Sequence, residues 1–181
     1  MRRSARSQYN VMSPREVAEL DVKSIVDPQW SVLALWIPST LLPHGFDVMN
    51  AWGFTFKQVF VWTKTKKANL ARKIDPSSTL NDELAFGMGR LFRQTHELAL
   101  IGTCGKVYEH LKNKSQRSVI LDENKGHSIK PEGLQDSLEL MFPEGNKLEI
   151  FGRRVRQNWT TIGDGVTNED VRVSIQNLIE L

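Results

Sequence analysis

Three sets of residues in this chain of 181 have types and spacings that could do chemistry. The first lies between His127 and Gly165, HSIKPEGLQDSLELMFPEGNKLEIFGRRVRQNWTTIGDG. A helical pattern after Pro131 runs into Pro143-Glu144-Gly145-Asn146, and Leu148, Ile150 and Phe151 then end abruptly at Gly152-Arg153-Arg154. A helix feeding a strand that stops at a glycine and arginines is how an α/β sheet presents a ligand crevice at its carboxyl edge. We read this stretch as holding a cofactor. The second set is His96-Glu97, which could suggest acid–base or metal chemistry. No second ligand pair stands at helical spacing from it, so a hydrogen-bonding role at a strand start is the stronger reading. The third is Trp62 followed by Lys64, Lys66, Lys67, Arg72 and Lys73. There an indole could stack on a base while the cations grip phosphates. Trp36, Trp52 and Trp159 read as core instead, and the clusters Arg2, Arg3, Arg6 and 153–156 read most simply as solvated.

The elements that must position these residues can be followed along the chain. Residues 1–10 are a polar, basic arm. Ser13-Pro14-Arg15-Glu16 is a helix start, with Ser as N-cap, Pro at the first helical position and Glu at the third. Val32 to Ile37, continuously apolar between Pro28 and Pro38, suits a buried central strand. A helix from Pro38 to Gly53 follows, then a strand from Phe54 to Trp62. Strand, helix and strand with short joints make a βαβ unit and imply a parallel sheet. Residues 63–86 read as a mobile basic loop. Leu98 to Ile101 and Ser118 to Leu121 are further strands, and the polar turn from 167 leads into an amphipathic terminal helix ending at 181. Gly87 and Gly89 lack the third glycine and the preceding strand of a dinucleotide fingerprint.

Bulk properties frame this as one domain, 1–181, with an ordinary soluble composition. A net charge of +3, from 24 basic and 21 acidic residues, is too weak alone to argue for nucleic acid. The single Cys104 allows no internal disulfide and makes a reducing compartment the default. No segment approaches the ~20 apolar residues of a membrane span. The basic amino terminus lacks the apolar core of a signal peptide. The expectation is a cytoplasmic protein of a bacterium or a phage-infected cell.

Several pieces occur in a telling order: Tyr9-Asn-Val-Met12, Leu35-Trp36, Trp52-Gly53-Phe54, Trp62-Thr-Lys64, and Gly87-x-Gly89-x3-Arg93-x2-His96-Glu97. His127-Ser128-x-Lys130-Pro131-Glu132, Leu148-Glu149-Ile150-Phe151-Gly152-Arg153 and Asn158-Trp159-x3-Gly163 follow. Over about residues 9–165 the chain resembles the adenine methyltransferase family. That family includes the catalytic subunit making 6-methyladenosine in eukaryotic messenger RNA, and bacterial and phage DNA methyltransferases. The resemblance implies an α/β, doubly wound, mostly parallel sheet in permuted order, and S-adenosylmethionine as cofactor. It implies that Lys130 meets the cofactor's carboxylate end, with His127 and Ser128 in the same pocket. Phe151, Gly152 and Arg153 would form the pocket wall, and Asp164 and Gly165 would lie near the adenine. Arg154-Val155-Arg156 and Asp164-Gly165 depart from the family pattern. The implied partners are nucleic acid, with DNA favoured over RNA, and a second copy or a heteromeric methyltransferase subunit. No metal is implied.

The family's signature is Asp-Pro-Pro-Trp, which holds the target amine and stacks the flipped base. Asp27-Pro28-Gln29-Trp30 is its nearest match, making Asp27, Pro28 and Trp30 the candidate catalytic residues. Two features favour a surface turn instead. Only Ser31 separates Trp30 from the strand at Val32, whereas parallel neighbours need a crossover of ~12 or more residues. Also, Tyr-x-x-Met and its helix follow the signature in the family, and here they precede it. By that register the chain begins after the catalytic strand and loop. The alternatives to an active enzyme are then a silent, nucleic-acid-binding partner subunit and an amino-terminally shortened form.

Overall fold

The computed structural model describes residues 11–66, 79–89, 91–125 and 129–180. Four strands form one sheet: β1 Trp30–Ile37, β2 Thr55–Thr65, β3 His96–Gly105 and β4 Val119–Glu123, in the order β1-β3-β2-β4. β3 runs antiparallel to both β1 and β2, and β4 is parallel to β2. Strands β1, β2 and β4 therefore share one carboxyl edge, where β3 begins. β5 Leu148–Ile150 and β6 Thr160–Ile162 form a separate parallel pair.

The expectation of a mostly parallel sheet needs correcting on this point. β1, the helix α2 Leu42–Ala51 and β2 do form a strand–helix–strand unit, and the expected loop 63–86 is corrected in part, since β2 runs on to Thr65 and α3 covers Leu80–Glu83. β1 and β2 are not neighbours, however, because β3 enters antiparallel between them. Short joints set the direction of successive strands but leave room for a later strand to insert. β1 is also not central: among the described residues it is an edge strand of its sheet, and none of its residues is fully buried.

Alternation along the strands builds two cores. On one face Leu33, Leu35, Ile37, Val59 and Leu100 pack with Val48, Met49 and Trp52 of the α2 region, and with Ile175 of α6 Val171–Ile179. Leu148, Ile150 and Ile162 of β5 and β6 join that same cluster. On the other face Ala34, Trp36, Phe60, Ala99 and Ile101 meet Leu134 and Leu138 of α4 Gly133–Met141. The continuous apolar run of β1 is thus explained by helices covering both faces. Local signals start the helices. Ser13 Oγ accepts from the Glu16 N–H while the Glu16 carboxylate accepts from the Ser13 N–H, capping α1 Pro14–Ala18. Asp170 caps α6 by accepting from the Arg172 N–H at 2.8 Å. Trp52 Nε1 donates to the Val17 carbonyl at 3.1 Å, fastening α1 to α2.

Cys104 pairs with Ser31 inside β3. Among the described residues no helix is long and apolar enough to cross a membrane.

Candidate cofactor and substrate site

The carboxyl edge of the large sheet is organised around Glu97. Its register opposite Trp62 brings it beside Lys64, two residues further along β2. Lys64 Nζ donates to Glu97 Oε1 at 2.5 Å. Lys130, on the segment leading into α4, donates to the other carboxylate oxygen. Each ammonium also lies over an indole: Lys64 4.7 Å from the Trp62 ring centre and Lys130 5.8 Å from that of Trp36. Burial pushes the Glu97 carboxyl up, but the hydrogen bonds from Lys130 and Lys64 outweigh it and hold it below the usual carboxylate range. Two cations on one carboxylate leave this cluster of three groups with a net charge of about +1.

The second part of the site is the junction of β5 and β6. The Gly152 N–H donates to the Ile162 carbonyl at 3.0 Å, and Phe151 turns the chain with a φ of 64°. A Cβ on Gly163 would sit 2.8 Å from the Gly152 carbonyl oxygen, and one on Gly165 would be 3.6 Å from Arg153 Cα. The backbones of Phe151-Gly152-Arg153 and Gly163-Asp164-Gly165 thus meet directly, an approach that a side chain at Gly163 would prevent. Phe151 is 44% exposed, and Asp164, opening α5 Asp164–Thr167, is exposed as well.

Helix α4 joins the two parts. Gln135 Nε2 donates to Glu149 of β5 at 3.0 Å. Arg154 pairs with Glu132 at 2.5 Å. Arg156 reaches Glu132 at 3.0 Å, Asp136 at 2.6 Å and Glu139 at 2.9 Å. Trp159 Nε1 donates to the same Glu139 oxygen as Arg156. Lys130, two residues before Glu132, is thereby held beside the loop that leaves Arg153. Arg154 and Arg156 are engaged with carboxylates, and the Arg156 side chain is only 15% exposed, so the reading of the 153–156 cluster as solvated is corrected for Arg156.

The remaining candidates fall elsewhere. The Asp27 carboxylate accepts from the Gln29 N–H at 2.8 Å in a local turn, and Trp30 stacks on His110 with ring centres 4.2 Å apart. Trp30 pairs with Gly105 and Ile37 with Leu98. Asp27, Pro28 and Trp30 therefore stand at the amino end of β1, about 20 Å or more from the edge that holds Glu97. Trp62 is 2% exposed and donates to the Asp122 carbonyl, so its proposed base-stacking role is corrected to a core one. Lys64, bonded to Glu97 with its side chain only 13% exposed against 34% for Lys130, is likewise not a free phosphate contact. Lys66 Nζ donates to the Asp82 carbonyl at 2.5 Å. Lys67, Arg72, Lys73, His127 and Ser128 lie outside the described residues. The hydrogen-bonding reading of His96-Glu97 holds for Glu97. What sequence reasoning missed is that Lys64 and Lys130 are its partners, and that Arg156 clamps the β5–β6 loop. The signal for the first was a lysine two residues past a buried tryptophan on the neighbouring strand. Among the described residues no group of acidic, histidine and cysteine side chains could hold a metal.

Strands β1, β2 and β4 sharing one carboxyl edge, helices on both faces and a glycine-tight junction after β5 and β6 define an α/β protein of the class that takes its ligands outside the carboxyl ends of its strands. The family model MT-A70 matches residues 1–165, and the chain belongs to that family. Its methyltransferases use S-adenosylmethionine. The chain is 24% identical over 178 residues to the type II methyltransferase M.MunI of a Mycoplasma species, covering 98% of this chain and 68% of that protein. It is 27% identical over 173 residues to the N(6)-adenosine-methyltransferase MT-A70-like protein of Drosophila melanogaster, covering 93% of this chain. It is 26% identical over 158 residues to the human N(6)-adenosine-methyltransferase catalytic subunit METTL3, covering 86% of this chain. The chain spans only 26% and 25% of the lengths of the last two.

Proposed function

We propose that this chain is a methyltransferase acting on the exocyclic amine of adenine in nucleic acid, DNA in preference to RNA. The observation that carries the reading is the direct meeting of the Phe151–Arg153 and Gly163–Gly165 backbones, on a chain that belongs to an S-adenosylmethionine-using family, with Lys130 two residues before the Glu132 that pairs with Arg154. The donor set suits that cofactor. Lys130 offers a cation to a carboxylate tail, the half-exposed Phe151 ring a face of the wall, and the exposed Asp164 a carboxylate near the adenine. Gly152 and Arg153 complete the wall and Gly165 the adenine end. The cofactor would supply an electrophilic methyl group: the adenine nitrogen would bond to the methyl carbon as the carbon–sulfur bond breaks, S-adenosylhomocysteine would leave as a neutral thioether, and the nitrogen would give up one proton to solvent. The protein's own contribution is to orient the two and exclude water. DNA is favoured because M.MunI, a type II methyltransferase, is covered over two thirds of its length.

A second reading is a silent member that supports a partner subunit. It draws on one observation: Asp27–Trp30 stands at the end of β1 remote from Lys130. A single series of measurements tests both. Calorimetric titration with S-adenosylmethionine should show saturable binding, weakened about tenfold by Lys130→Ala; no heat at millimolar cofactor would overturn the cofactor site. Radiolabelled methyl transfer into DNA by the protein alone would sink the silent reading. Transfer unchanged by Asp27→Ala would assign Asp27–Trp30 to the turn.

A further inference from the structure

The segment joining β2 to β3 carries the most exposed apolar side chains described. Phe86, Met88, Leu91 and Phe92 are 76%, 75%, 94% and 88% exposed. None of them joins either core cluster. They sit on a tight hairpin rather than a slack loop. Gly87 bridges Gln94; a Cβ there would lie 2.3 Å from the Gln94 carbonyl oxygen, and one on Gly89 would lie 1.9 Å from that of Phe92.

Both stems of this hairpin are fastened to the carboxyl edge. On the incoming side the Ala85 N–H donates to the Lys64 carbonyl at 2.8 Å, and the Lys66 N–H to the Glu83 carbonyl at 3.0 Å. On the outgoing side the Gln94 amide donates to the His96 carbonyl at 2.8 Å and reaches Ser39 Oγ, just after β1, at 3.4 Å. The apolar tip is therefore presented in a fixed place, beside the Lys64–Glu97–Lys130 cluster.

Charge points to the occupant. Between Ala85 and His96 the sequence has no acidic residue and two arginines. One of these, Arg93, lies 4.7 Å from the centre of the Phe86 ring. Apolar and aromatic side chains beside an arginine fit a ligand with π faces and phosphates better than an apolar protein surface. Phe, Leu and Met are the residue types that wedge between base steps and unstack them.

We propose that the Phe86–Phe92 hairpin tip is a wedge that enters the base stack of a DNA duplex beside the target adenine, with Arg93 facing the flanking backbone. The inference rests on the nucleic-acid reading above and adds a device that opens the stack. It also gives the edge a way to lower the cost of extruding a base, since the inserted side chains replace part of the lost stacking.

The test uses a mixed-sequence DNA duplex with 2-aminopurine at scattered adenine positions, a probe that brightens when unstacked. The protein should bind it with a rise in fluorescence. The double variant Leu91→Ala/Phe92→Ala, altering only exposed side chains, should bind about tenfold or more weakly without the rise. Its cofactor affinity and thermal midpoint should stay unchanged. Unchanged duplex binding and fluorescence in that variant would overturn the wedge alone. A variant that instead falls from dimer to monomer in sedimentation, with DNA binding intact, would overturn it in favour of a second copy covering the tip. No duplex binding by the unaltered protein, with cofactor binding intact, would overturn the nucleic-acid reading and the wedge with it. The same probe built as RNA shows which nucleic acid is opened.

Discussion

At the scale of single residues the balance at Glu97 decides most. Its side chain is 21% exposed and is shared by two ammonium groups. Replacing it by Gln leaves Lys64 and Lys130 facing each other across a neutral amide, with an expected loss of about 1–3 kcal/mol in urea unfolding at neutral pH. The pH dependence has a definite sign. The folded carboxyl titrates below its ordinary value, so its contribution is complete above the unfolded pKa of about 4.3 and is lost as pH falls through the folded one. Glu97→Gln should flatten the acid limb of the stability profile below about pH 4. An unaltered acid limb would show that the two lysines do not depend on this carboxylate. The sequence exposed Lys130 through its place in a motif, and Glu97 only as half of a His-Glu pair. A contact between β2, β3 and the approach to α4 has no local signature.

Elements were more legible than the contacts between them. Ser13, Pro14 and Glu16 predict α1, and Pro131 with Pro143 brackets α4, because caps and breakers act on their own neighbourhood. The three-residue strand β6 and the short helix α5 carry too few residues to show a period, and neither was foreseen. The β5–β6 loop shows how an element without regular structure can still be held. Hydrogen bonds from Arg156 and Trp159 hold the Glu139 carboxyl below its usual range, and Arg156 is itself raised, chiefly by its bond to Glu139. Arg156→Gln should cost about 1–2 kcal/mol and accelerate amide exchange over residues 153–158 while leaving β3 protected. Exchange that stays slow there would mean that backbone contacts alone hold the loop.

At the scale of the molecule, the run from Val32 to Ile37 was read correctly as covered on both faces and wrongly as central. Apolar periodicity reports what lies above and below a sheet and is silent about what lies beside it. That silence bears on how the protein behaves in the tube. An apolar strand eight residues long, unpaired on one side among the described residues, is a template for adding further strands. Proteins usually blunt such an edge with a lysine, but Leu33, Leu35 and Ile37 point into one core and Ala34 and Trp36 into the other, so a charge at any of them would be buried. Purified chain should therefore scatter more light as its concentration rises, with little relief from changes in net charge. A clear solution at high concentration would show that the β1 edge is already occupied.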